Sequence, residues 1–199
     1  MDRILLARHG ESELSVQGLT NGDPSVECGL TERGRAQARR LGEQLSATAP
    51  DLCVVSEFQR VQETAELALA GREVPLLVLA GLNDIRFGAF EGKLLADYRA
   101  WARAHGPEDV APGDGDSRVT TVSRYAAAFR TLLARPERTV LAVAHSLPIR
   151  YVRDAAAGKP PVPAVEQVPY AESFELDAAQ LTKAVELLER WTREPAWPK

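Results

Sequence analysis

The segment Ile4-Leu5-Leu6-Ala7-Arg8-His9-Gly10 joins a short apolar run directly to an arginine and a histidine. A short apolar run without polar alternation is typical of a strand that is buried on both faces of a parallel sheet. Further runs of this kind occupy residues 52–55, 74–80 and 140–144. Because ligands of open α/β sheets bind at the carboxyl ends of the strands, the residues that follow these runs are the first candidates for a functional site.

Longer stretches with apolar residues three and four positions apart separate these runs. Strands and helices that alternate along one chain predict an α/β fold, a three-layer sandwich in which helices flank a mostly parallel central sheet. Residues 170–176 form a predicted edge strand, and Thr31 is the predicted N-cap of the first helix. The predicted helices include residues 38–45, 61–69, 94–102, 119–133 and a closing helix at 181–191.

The composition is that of an ordinary globular protein. Its 199 residues are enough for one sizeable core and too few for two full domains. The 24 Lys and Arg residues against 28 Asp and Glu give a formal net charge of −4, whereas proteins that coat nucleic acid are more often basic. Cys28 and Cys53 lack the spacing of a zinc or thioredoxin motif. Since no apolar stretch has the length of a signal peptide or a membrane helix, we expect a cytoplasmic protein that binds neither nucleic acid nor a membrane.

Cationic and imidazole side chains follow three of the predicted strands. Arg8 and His9 come directly after the first run, Arg60 lies five positions after the second, and His145 follows the last. If the strands are parallel, these side chains meet at one edge of the sheet. Guanidinium groups match phosphate oxygens and an imidazole is a good nucleophile, so the set suits a phosphate ester. The residues alone leave two interpretations open. These side chains form an anion site, or each of them has a separate structural role.

The residues around these strand ends resemble known motifs. Arg8-His9-Gly10-Glu11-Ser12 resembles the RHG signature of the histidine phosphatase superfamily, which includes cofactor-dependent phosphoglycerate mutases and many broad phosphatases. The RHG motif alone is weakly specific, whereas an ordered series of motifs from residue 3 to about residue 152 is highly specific. The further segments that resemble family motifs are Gly22-Asp23 with 29–38, Ser56 with Arg60 and Thr64-Ala65, 82–92, Gly115-Asp116-Ser117, and 143–145.

The resemblance implies both a fold and a function. It implies a phosphoglycerate mutase-like α/β sandwich, with one histidine phosphatase domain over residues 1–199 and a helical insertion or lid at about 93–117. The implied enzyme is a metal-independent phosphomonoester hydrolase without a cofactor. It acts through a phosphohistidine intermediate on a small phosphorylated metabolite.

The same resemblance implies roles for the residues at the strand ends. His9 attacks phosphorus, while Arg8, Arg60 and a cationic His145 hold the oxygens over which the transition state spreads its charge. The attacking nitrogen of His9 must be unprotonated. We therefore expect its other nitrogen to donate to a backbone carbonyl such as that of Gly10.

The chain departs from the family pattern at two site positions. Asp84 stands where the family has the glutamate that serves as general acid, and its carboxyl group sits roughly 1–1.5 Å further back for the same backbone. Asp84 remains our candidate acid, with Glu11, Glu91 and Asp116 as possible substitutes. Ser15 stands where the family often has an asparagine that contacts the phosphoryl group, so it is a candidate phosphate ligand with a shorter reach.

Other functions remain open from the sequence. A phosphoglycerate mutase-type phosphoryl transferase uses the same histidine, although the stretch after the acid is compact here and has few cationic residues. A catalytically weak phospholigand-binding protein is favoured only by Asp84. A zinc site of His9, His145 and Asp84 is disfavoured because the arginines beside it repel a cation. The predicted edge strand at 170–176 offers a surface for a homodimer.

Overall fold

The computed structural model describes residues 1–198. Its centre is a five-stranded sheet with the order β3-β2-β4-β1-β5. The pairs β1–β4, β4–β2 and β2–β3 are parallel, and only β5 runs antiparallel, at the edge beside β1. The strands are β1 Arg3–Arg8, β2 Leu52–Val55, β3 Leu76–Val78, β4 Thr139–Ala144 and β5 Ser173–Asp177.

Helices cover both faces of this sheet. The helices are α1 Glu13–Val16, α2 Glu32–Gln44, α3 Gln59–Ala68, α4 Leu95–Ala104, α5 Arg118–Leu133, α6 Ser146–Ala156 and α7 Ala178–Arg193. Short 3₁₀ turns occupy Leu45–Ala47, Ala80–Leu82 and Gly88–Phe90. No helix within residues 1–198 combines the length and the apolarity that crossing a bilayer requires.

Alternate residues of the central strands feed two separate cores. In β1, Ile4 and Leu6 pack with α5, α6 and α7, whereas Leu5 and Ala7 pack with α2 and α3. Because the strand is buried on both faces, its apolar run shows no polar alternation. The three-layer α/β sandwich predicted from the sequence is confirmed.

The strand register aligns the polar residues at one edge of the sheet. Arg8 pairs with Ala144, and Val55 pairs with Val143 in the neighbouring strand. His9 and His145 directly follow Arg8 and Ala144, so they leave the sheet at the same level. A shared site requires that these strands run parallel, and they do.

Two predictions of secondary structure need correction, and one helix was missed. The run at 74–80 was expected to be buried on both faces, but only Leu76–Val78 forms a strand, and it is partly exposed because it lies at an edge. The edge strand begins at Ser173 rather than at residue 170, since Ala171 has a φ of 49° and breaks the extended backbone. Helix α6, directly after His145, was not predicted.

The start of α2 lies against the loop after β1. Thr31 caps this helix as predicted, and its hydroxyl accepts a hydrogen bond from the N–H of Gly34 at 3.0 Å. A Cβ atom on Gly34 would stand 2.0 Å from the carbonyl oxygen of Glu11, and one on Gly10 would stand 2.5 Å from that of Gly34. Only glycine permits this approach, which fixes the backbone immediately after His9.

Candidate active site

The carboxyl edge of the sheet brings the predicted site residues together, and all of them except His145 line one cavity. His9 follows β1, His145 follows β4, and Arg60 lies in the first turn of α3, after β2. His145 is fully buried, and its ring centroid lies 5.5 Å from that of His9. The other predicted site residues, Arg8, Ser15 and Asp84, line the cavity together with His9 and Arg60.

The hydrogen bonds of His9 define its tautomer. Its Nδ1 lies 2.7 Å from the carbonyl oxygen of Gly10, which can only accept, so Nδ1 carries the proton. Its Nε2 lies 3.3 Å from the Nε of Arg60, which can only donate, so Nε2 is unprotonated and its lone pair accepts this hydrogen bond. Burial, together with the charges of Arg60 and Arg8, lowers the pKa of His9 well below its usual value. The imidazole is therefore neutral at physiological pH, with its basic nitrogen beside a guanidinium group.

Arg60 is fixed by a loop residue that the sequence analysis did not single out. Its Nη1 donates to the Oδ1 of Asn21 at 2.6 Å, and its Nη2 donates to the backbone oxygen of Asn21 at 3.0 Å. The guanidinium group also lies 4.3 Å from the ring centroid of Phe58. With four per cent of its surface exposed, Arg60 is held with its charge at the base of the cavity. Asn21 follows no strand, so position in the fold gave no signal for it.

His145 is oriented by a serine. Its Nε2 lies 2.9 Å from the Oγ of Ser56, and its Nδ1 lies 3.3 Å from the Nη2 of Arg60. Since Arg60 only donates, Nδ1 accepts, and the proton on Nε2 is donated to Ser56. Burial, and then the charge of Arg60, lower the pKa of His145 well below its usual value. The expected cationic His145 is thus replaced by a neutral imidazole in the free site.

Contacts of Ser56, Arg60 and Thr64 connect β2 and α3 with the two histidines and Gly10. Ser56 directly follows β2 and reaches His145, while Arg60 points from α3 to His9. One turn further on, the Thr64 hydroxyl accepts a hydrogen bond from the N–H of Gly10 at 3.0 Å. Residues four positions apart share one face of a helix, so α3 holds both His9 and the loop after it.

Arg8 lies against the segment before β5. Its Nη1 donates to the carbonyl oxygen of Val168 at 2.8 Å, and its guanidinium carbon lies 3.8 Å from the ring centroid of Tyr170. No carboxylate pairs with Arg8 anywhere in residues 1–198, and its buried Nε has no hydrogen-bond partner there. A buried cation with an unpartnered donor that lines a cavity is suited to bind an anion.

Asp84 is the one carboxylate among the described residues that line this cavity. Its Oδ2 lies 3.7 Å from the Nδ1 of His145, and its side chain remains 19% exposed. Burial raises the pKa of Asp84, although the charge of Arg60 opposes the shift. A carboxyl group of this kind keeps its proton to a higher pH than an ordinary aspartic acid, as a general acid requires.

The other carboxylates considered as the acid are engaged elsewhere. Glu91 accepts hydrogen bonds from two backbone N–H groups of neighbouring loops, each at 2.8 Å. Asp116 pairs with Arg124 at 3.3 Å, and Glu11 accepts from a threonine hydroxyl at 2.9 Å. None of the three lines the cavity, whereas Asp84 does. The geometry thus favours Asp84 for any acid role.

Ser15 lines the cavity, but its hydroxyl already has partners. The Oγ of Ser15 accepts from the N–H of Ser12 at 2.9 Å and lies 2.9 Å from the backbone oxygen of the same residue. These contacts cap the short helix α1. Ser15 therefore stands at the predicted place, with its hydrogen bonds directed towards its own turn.

Among residues 1–198, no group of three or more His, Cys, Asp and Glu side chains is arranged to hold a metal ion. Cationic groups dominate the cavity instead. Four arginines and a single aspartate line it, although the whole chain has a formal net charge of −4. This excess of positive charge favours an anionic ligand.

Solved structures resemble the fold of this protein over most of the chain. The alpha-ribazole phosphatase of Shigella flexneri superposes with a TM-score of 0.76 and 27% identity over 88% of this chain and 90% of that one. A mycobacterial glucosyl-3-phosphoglycerate phosphatase superposes with a TM-score of 0.73 and 26% identity over 88% of this chain and 92% of that one. The fold is therefore phosphoglycerate mutase-like.

Sequence comparisons agree with the structural ones. The adenosylcobalamin/alpha-ribazole phosphatase of Salmonella typhimurium is 42% identical over 107 residues, so the match spans 50% of this chain and only about half, 52%, of that relative. A 2,3-bisphosphoglycerate-dependent phosphoglycerate mutase of Methylobacterium is 35% identical over 170 residues, 75% of this chain and 78% of that enzyme. The family model of the histidine phosphatase superfamily (branch 1) matches residues 4–189. The chain therefore belongs to the histidine phosphatase superfamily.

Proposed function

We propose that this protein is a metal-independent phosphomonoester hydrolase that acts through a phosphohistidine on His9. The observation that carries the proposal is the state of His9, whose Nδ1–H donates to the carbonyl oxygen of Gly10 and whose unprotonated Nε2 accepts from Arg60. A neutral imidazole among fixed guanidinium groups is an activated nucleophile for a phosphate ester. The phosphatases among its relatives support the same reaction class.

In the first step, the Nε2 of His9 forms a bond to phosphorus while the bond from phosphorus to the ester oxygen breaks. Arg8 and Arg60 hold the phosphoryl oxygens, and His145 lies behind them, where its Nδ1 accepts from the Nη2 of Arg60 and helps to hold that guanidinium group. Asp84 gives its proton to the departing oxygen. The free alcohol leaves, and a phosphohistidine and an ionised Asp84 remain.

In the second step, water takes the place of the alcohol. The ionised Asp84 accepts a proton from the water as its oxygen attacks phosphorus, so the residue acts first as acid and then as base. The bond between phosphorus and Nε2 breaks, and its electron pair returns to His9. Inorganic phosphate leaves, and both side chains regain their starting states.

We further propose that the substrate is a small-molecule phosphate ester in the cytoplasm. The helical segment at about 93–117 serves as the lid of the single domain, since Leu95, Tyr98 and Arg99 of α4 line the cavity. The formal net charge of −4 argues against a nucleic-acid or anionic membrane partner. If the protein forms a homodimer, the open edge of β5 is where we expect a second copy to pair.

The relatives also include mutases, which return the phosphoryl group to a bound product instead of to water. The test is hydrolysis of 4-nitrophenyl phosphate in EDTA from about pH 4.5 to about pH 8, with inorganic phosphate measured as a second product. We expect metal-independent turnover that is lost in His9→Ala. The control is His105→Ala, which removes an exposed imidazole that is hydrogen-bonded to the backbone oxygen of Trp101 and does not line the cavity.

Three outcomes are informative. Equal turnover in the wild-type protein and His9→Ala would overturn the role of His9. Transfer to an added alcohol in place of phosphate release would identify a transferase. Tight binding of phosphate without turnover at any pH would identify a binding protein in which Asp84 fails as an acid.

A further inference from the structure

Asp84 lies in a segment without regular secondary structure, between the 3₁₀ turns Ala80–Leu82 and Gly88–Phe90. Its Oδ1 accepts a hydrogen bond from the N–H of Ile85 at 3.0 Å. This bond holds the side chain against its own backbone, and an aspartate has only one methylene group with which to extend. The position of the carboxyl group is therefore decided by the contacts that hold the backbone around it.

Arg124 of α5 holds that backbone. Its Nη1 donates to the carbonyl oxygen of Asn83 at 2.6 Å, and its Nη2 donates to that of Asp84 at 3.0 Å. These two carbonyls belong to the peptide groups on either side of the Asp84 Cα atom. Because the donors of a guanidinium group form a rigid planar fork, the two bonds together orient the side chain between them.

Asp116 completes the contact between α5 and this segment. Its Oδ2 lies 3.3 Å from the Nη2 of Arg124 and accepts a hydrogen bond from the N–H of Arg86 at 3.1 Å. The N–H of Asp116 donates in turn to the carbonyl oxygen of Arg86 at 2.9 Å. Arg124 and Asp116 therefore hold the backbone both at Asp84 and two residues after it.

Helix α5 is a rigid support for these contacts. Val122 and Phe129 of this helix are almost completely buried in the core. The turn before Asp84 packs closely on the same helix, since a Cβ atom on Gly81 would stand 2.8 Å from the Cβ of Ala128. Packing at this density leaves little room for the segment to move relative to α5.

Arg124 does not line the cavity, unlike the arginines to which the steps above assign the phosphoryl group. Its two short hydrogen bonds are to backbone oxygens of the segment that carries Asp84. A change at Arg124 therefore reaches the reacting atoms through that segment and not by contact with a substrate.

The charge of Arg124 also acts on Asp84. Burial raises the pKa of this carboxyl group, and the charges of Arg60, Arg8 and Arg124 oppose the shift. A phosphoryl group in the cavity would offset the charges of Arg60 and Arg8, whereas Arg124 lies outside the cavity and has only Asp116 as its partner carboxylate. The charged and titratable groups near Asp84 are Arg8 in β1, Arg60 in α3, Glu91 after the last 3₁₀ turn, Tyr98 in α4, Arg118, Arg124 and Tyr125 in α5, and His145 after β4.

We infer that Arg124 is a positioning residue for the general acid, which holds the two peptide groups around Asp84 so that the carboxyl group meets the leaving oxygen. This inference rests on the proposed function, because it concerns the residue that we propose as the acid. Arg124 itself exchanges no proton and contacts no substrate.

The test compares two esters in two variants. In Arg124→Met both hydrogen bonds and the charge are lost, so we expect kcat for propyl phosphate to fall at least about tenfold more than kcat for 4-nitrophenyl phosphate, since a displacement of about 1 Å can cost on the order of a hundredfold. The aryl ester needs little protonation and is expected to lose little. Arg124→Lys keeps the charge without the planar fork, and should retain part of the activity on propyl phosphate.

The pH profile supplies a second readout, which a merely structural role would not move. Loss of the cation in Arg124→Met should raise the pKa of Asp84, so the decline of activity on propyl phosphate should move to higher pH. In Arg124→Lys the decline should stay near its position in the wild-type protein. The matched control is Arg130→Met, because Arg130 lies on the same helix, pairs with Glu189 at 2.7 Å and does not line the cavity. It should change neither the ratio of the two esters nor the profile.

Equal losses on the two esters in Arg124→Met would overturn the inference, as would unchanged rates on both. If thermal unfolding shows that Arg124→Met does not fold, Asp116→Asn gives a second variant, which keeps the shape of the side chain and removes its charge. The same preferential loss on propyl phosphate is expected there, with a smaller magnitude, and its absence would overturn the inference.

Failure of the proposed function has a different signature, since the wild-type protein would then hydrolyse neither ester. The inference can still be tested by a ¹³C NMR titration of aspartate carboxyl groups, in which Asp84 is identified by the signal that Asp84→Asn lacks. Arg124→Met should raise the pKa of Asp84, and Arg130→Met should leave it in place. A titration that Arg124→Met does not move would overturn the action of Arg124 on Asp84.

Discussion

The Nδ1 of His9 lies 2.7 Å from the backbone oxygen of Gly10, the residue that follows it. This contact is local, but its geometry depends on two distant elements. The N–H of Gly10 donates to Thr64 in α3, and the absence of a side chain on Gly34 lets α2 approach the same turn. The tautomer of His9 is therefore set by the packing of two helices on one face of the sheet, and not by His9 alone.

A covalent intermediate on His9 is the first prediction. Brief incubation with a ³²P-labelled aryl phosphate, followed by rapid denaturation in base, should leave label on the protein that is lost in acid, as a phosphoramidate bond requires. Digestion and mass spectrometry should place the label on the peptide that contains His9. Label that survives acid would indicate an ester on a hydroxyl group and would contradict the assignment.

Replacement of Asp84 should separate esters by their leaving groups. Asp84→Asn cannot donate a proton, so we expect kcat to fall by about 10²–10⁴-fold for an alkyl phosphate. The loss should be much smaller for 4-nitrophenyl phosphate, whose leaving oxygen needs little protonation. The measurement is the ratio of kcat for the two esters in each protein.

Asp84→Glu is the matched control, since it restores the acid with one more methylene. It should recover part of the activity on alkyl esters. Equal losses on alkyl and aryl esters in Asp84→Asn would show that Asp84 does not protonate the leaving group.

The pKa shifts predict the pH dependence of kcat/KM. Burial and nearby guanidinium groups lower the pKa of His9, so its imidazole stays neutral as the pH falls below about 6.5, the value for ordinary histidine. Burial raises the pKa of Asp84, so its acid form persists above about 3.9, the value for ordinary aspartic acid. For alkyl esters, we expect activity to be greatest on the acid side of neutrality and to fall as Asp84 loses its proton with rising pH.

The Asp84→Asn variant tests which group causes the decline of activity at high pH. In Asp84→Asn the decline on the alkaline side should disappear for alkyl esters, because no acid remains to titrate. A decline that is unchanged in Asp84→Asn would belong to another group, such as the substrate itself.

Much of this site could be predicted from the sequence, because parallel strands place the residues that follow them at one edge of the sheet. That argument found Arg8, His9, Arg60 and His145 without any contact information. Family motifs then pointed to Asp84, which no strand end marks.

Other features depended on three-dimensional packing. Asn21 lies in a loop, and its contact with Arg60 arises only when that loop folds over α3. Helix α6 was missed because Pro148 interrupts its pattern, yet a proline in the first turn loses no helical hydrogen bond. The neutrality of His145 follows from its complete burial, which residue type does not reveal.

Ser56 should act as a positioning residue for His145. Its hydroxyl lies 2.9 Å from the Nε2 of His145, and both residues are fully buried. Ser56→Ala leaves the ring N–H without a partner, which costs about 1–3 kcal/mol and frees the ring to turn. We expect kcat to fall by about tenfold or more.

The dependence on leaving group distinguishes this effect from loss of the acid. Because His145 contacts Arg60, which we propose holds the phosphoryl group, Ser56→Ala should lower kcat by the same factor for aryl and alkyl esters. Ser123→Ala, at an exposed serine of α5, is the control for loss of a hydroxyl group. A larger loss on alkyl esters in Ser56→Ala would instead mean that His145 serves the leaving group.

Gly34 provides a test of how far the fold supports the nucleophile. A Cβ atom there would stand 2.0 Å from the carbonyl oxygen of Glu11, a backbone atom that cannot rotate away. Gly34→Ala should therefore push the first turn of α2 away from the loop after His9, at a cost of about 1–3 kcal/mol. For a chain of this size each kcal/mol corresponds to about 2–4 °C in the unfolding temperature.

Gly106→Ala is the control, since the nearest atom to its Cβ would be a side-chain oxygen of Asp109 at 3.5 Å. We expect Gly34→Ala to lower both the unfolding temperature and kcat, and Gly106→Ala to change neither. If Gly34→Ala lowers the unfolding temperature but leaves kcat intact, then Thr64 alone is sufficient to hold Gly10, and the contact of α2 serves stability only.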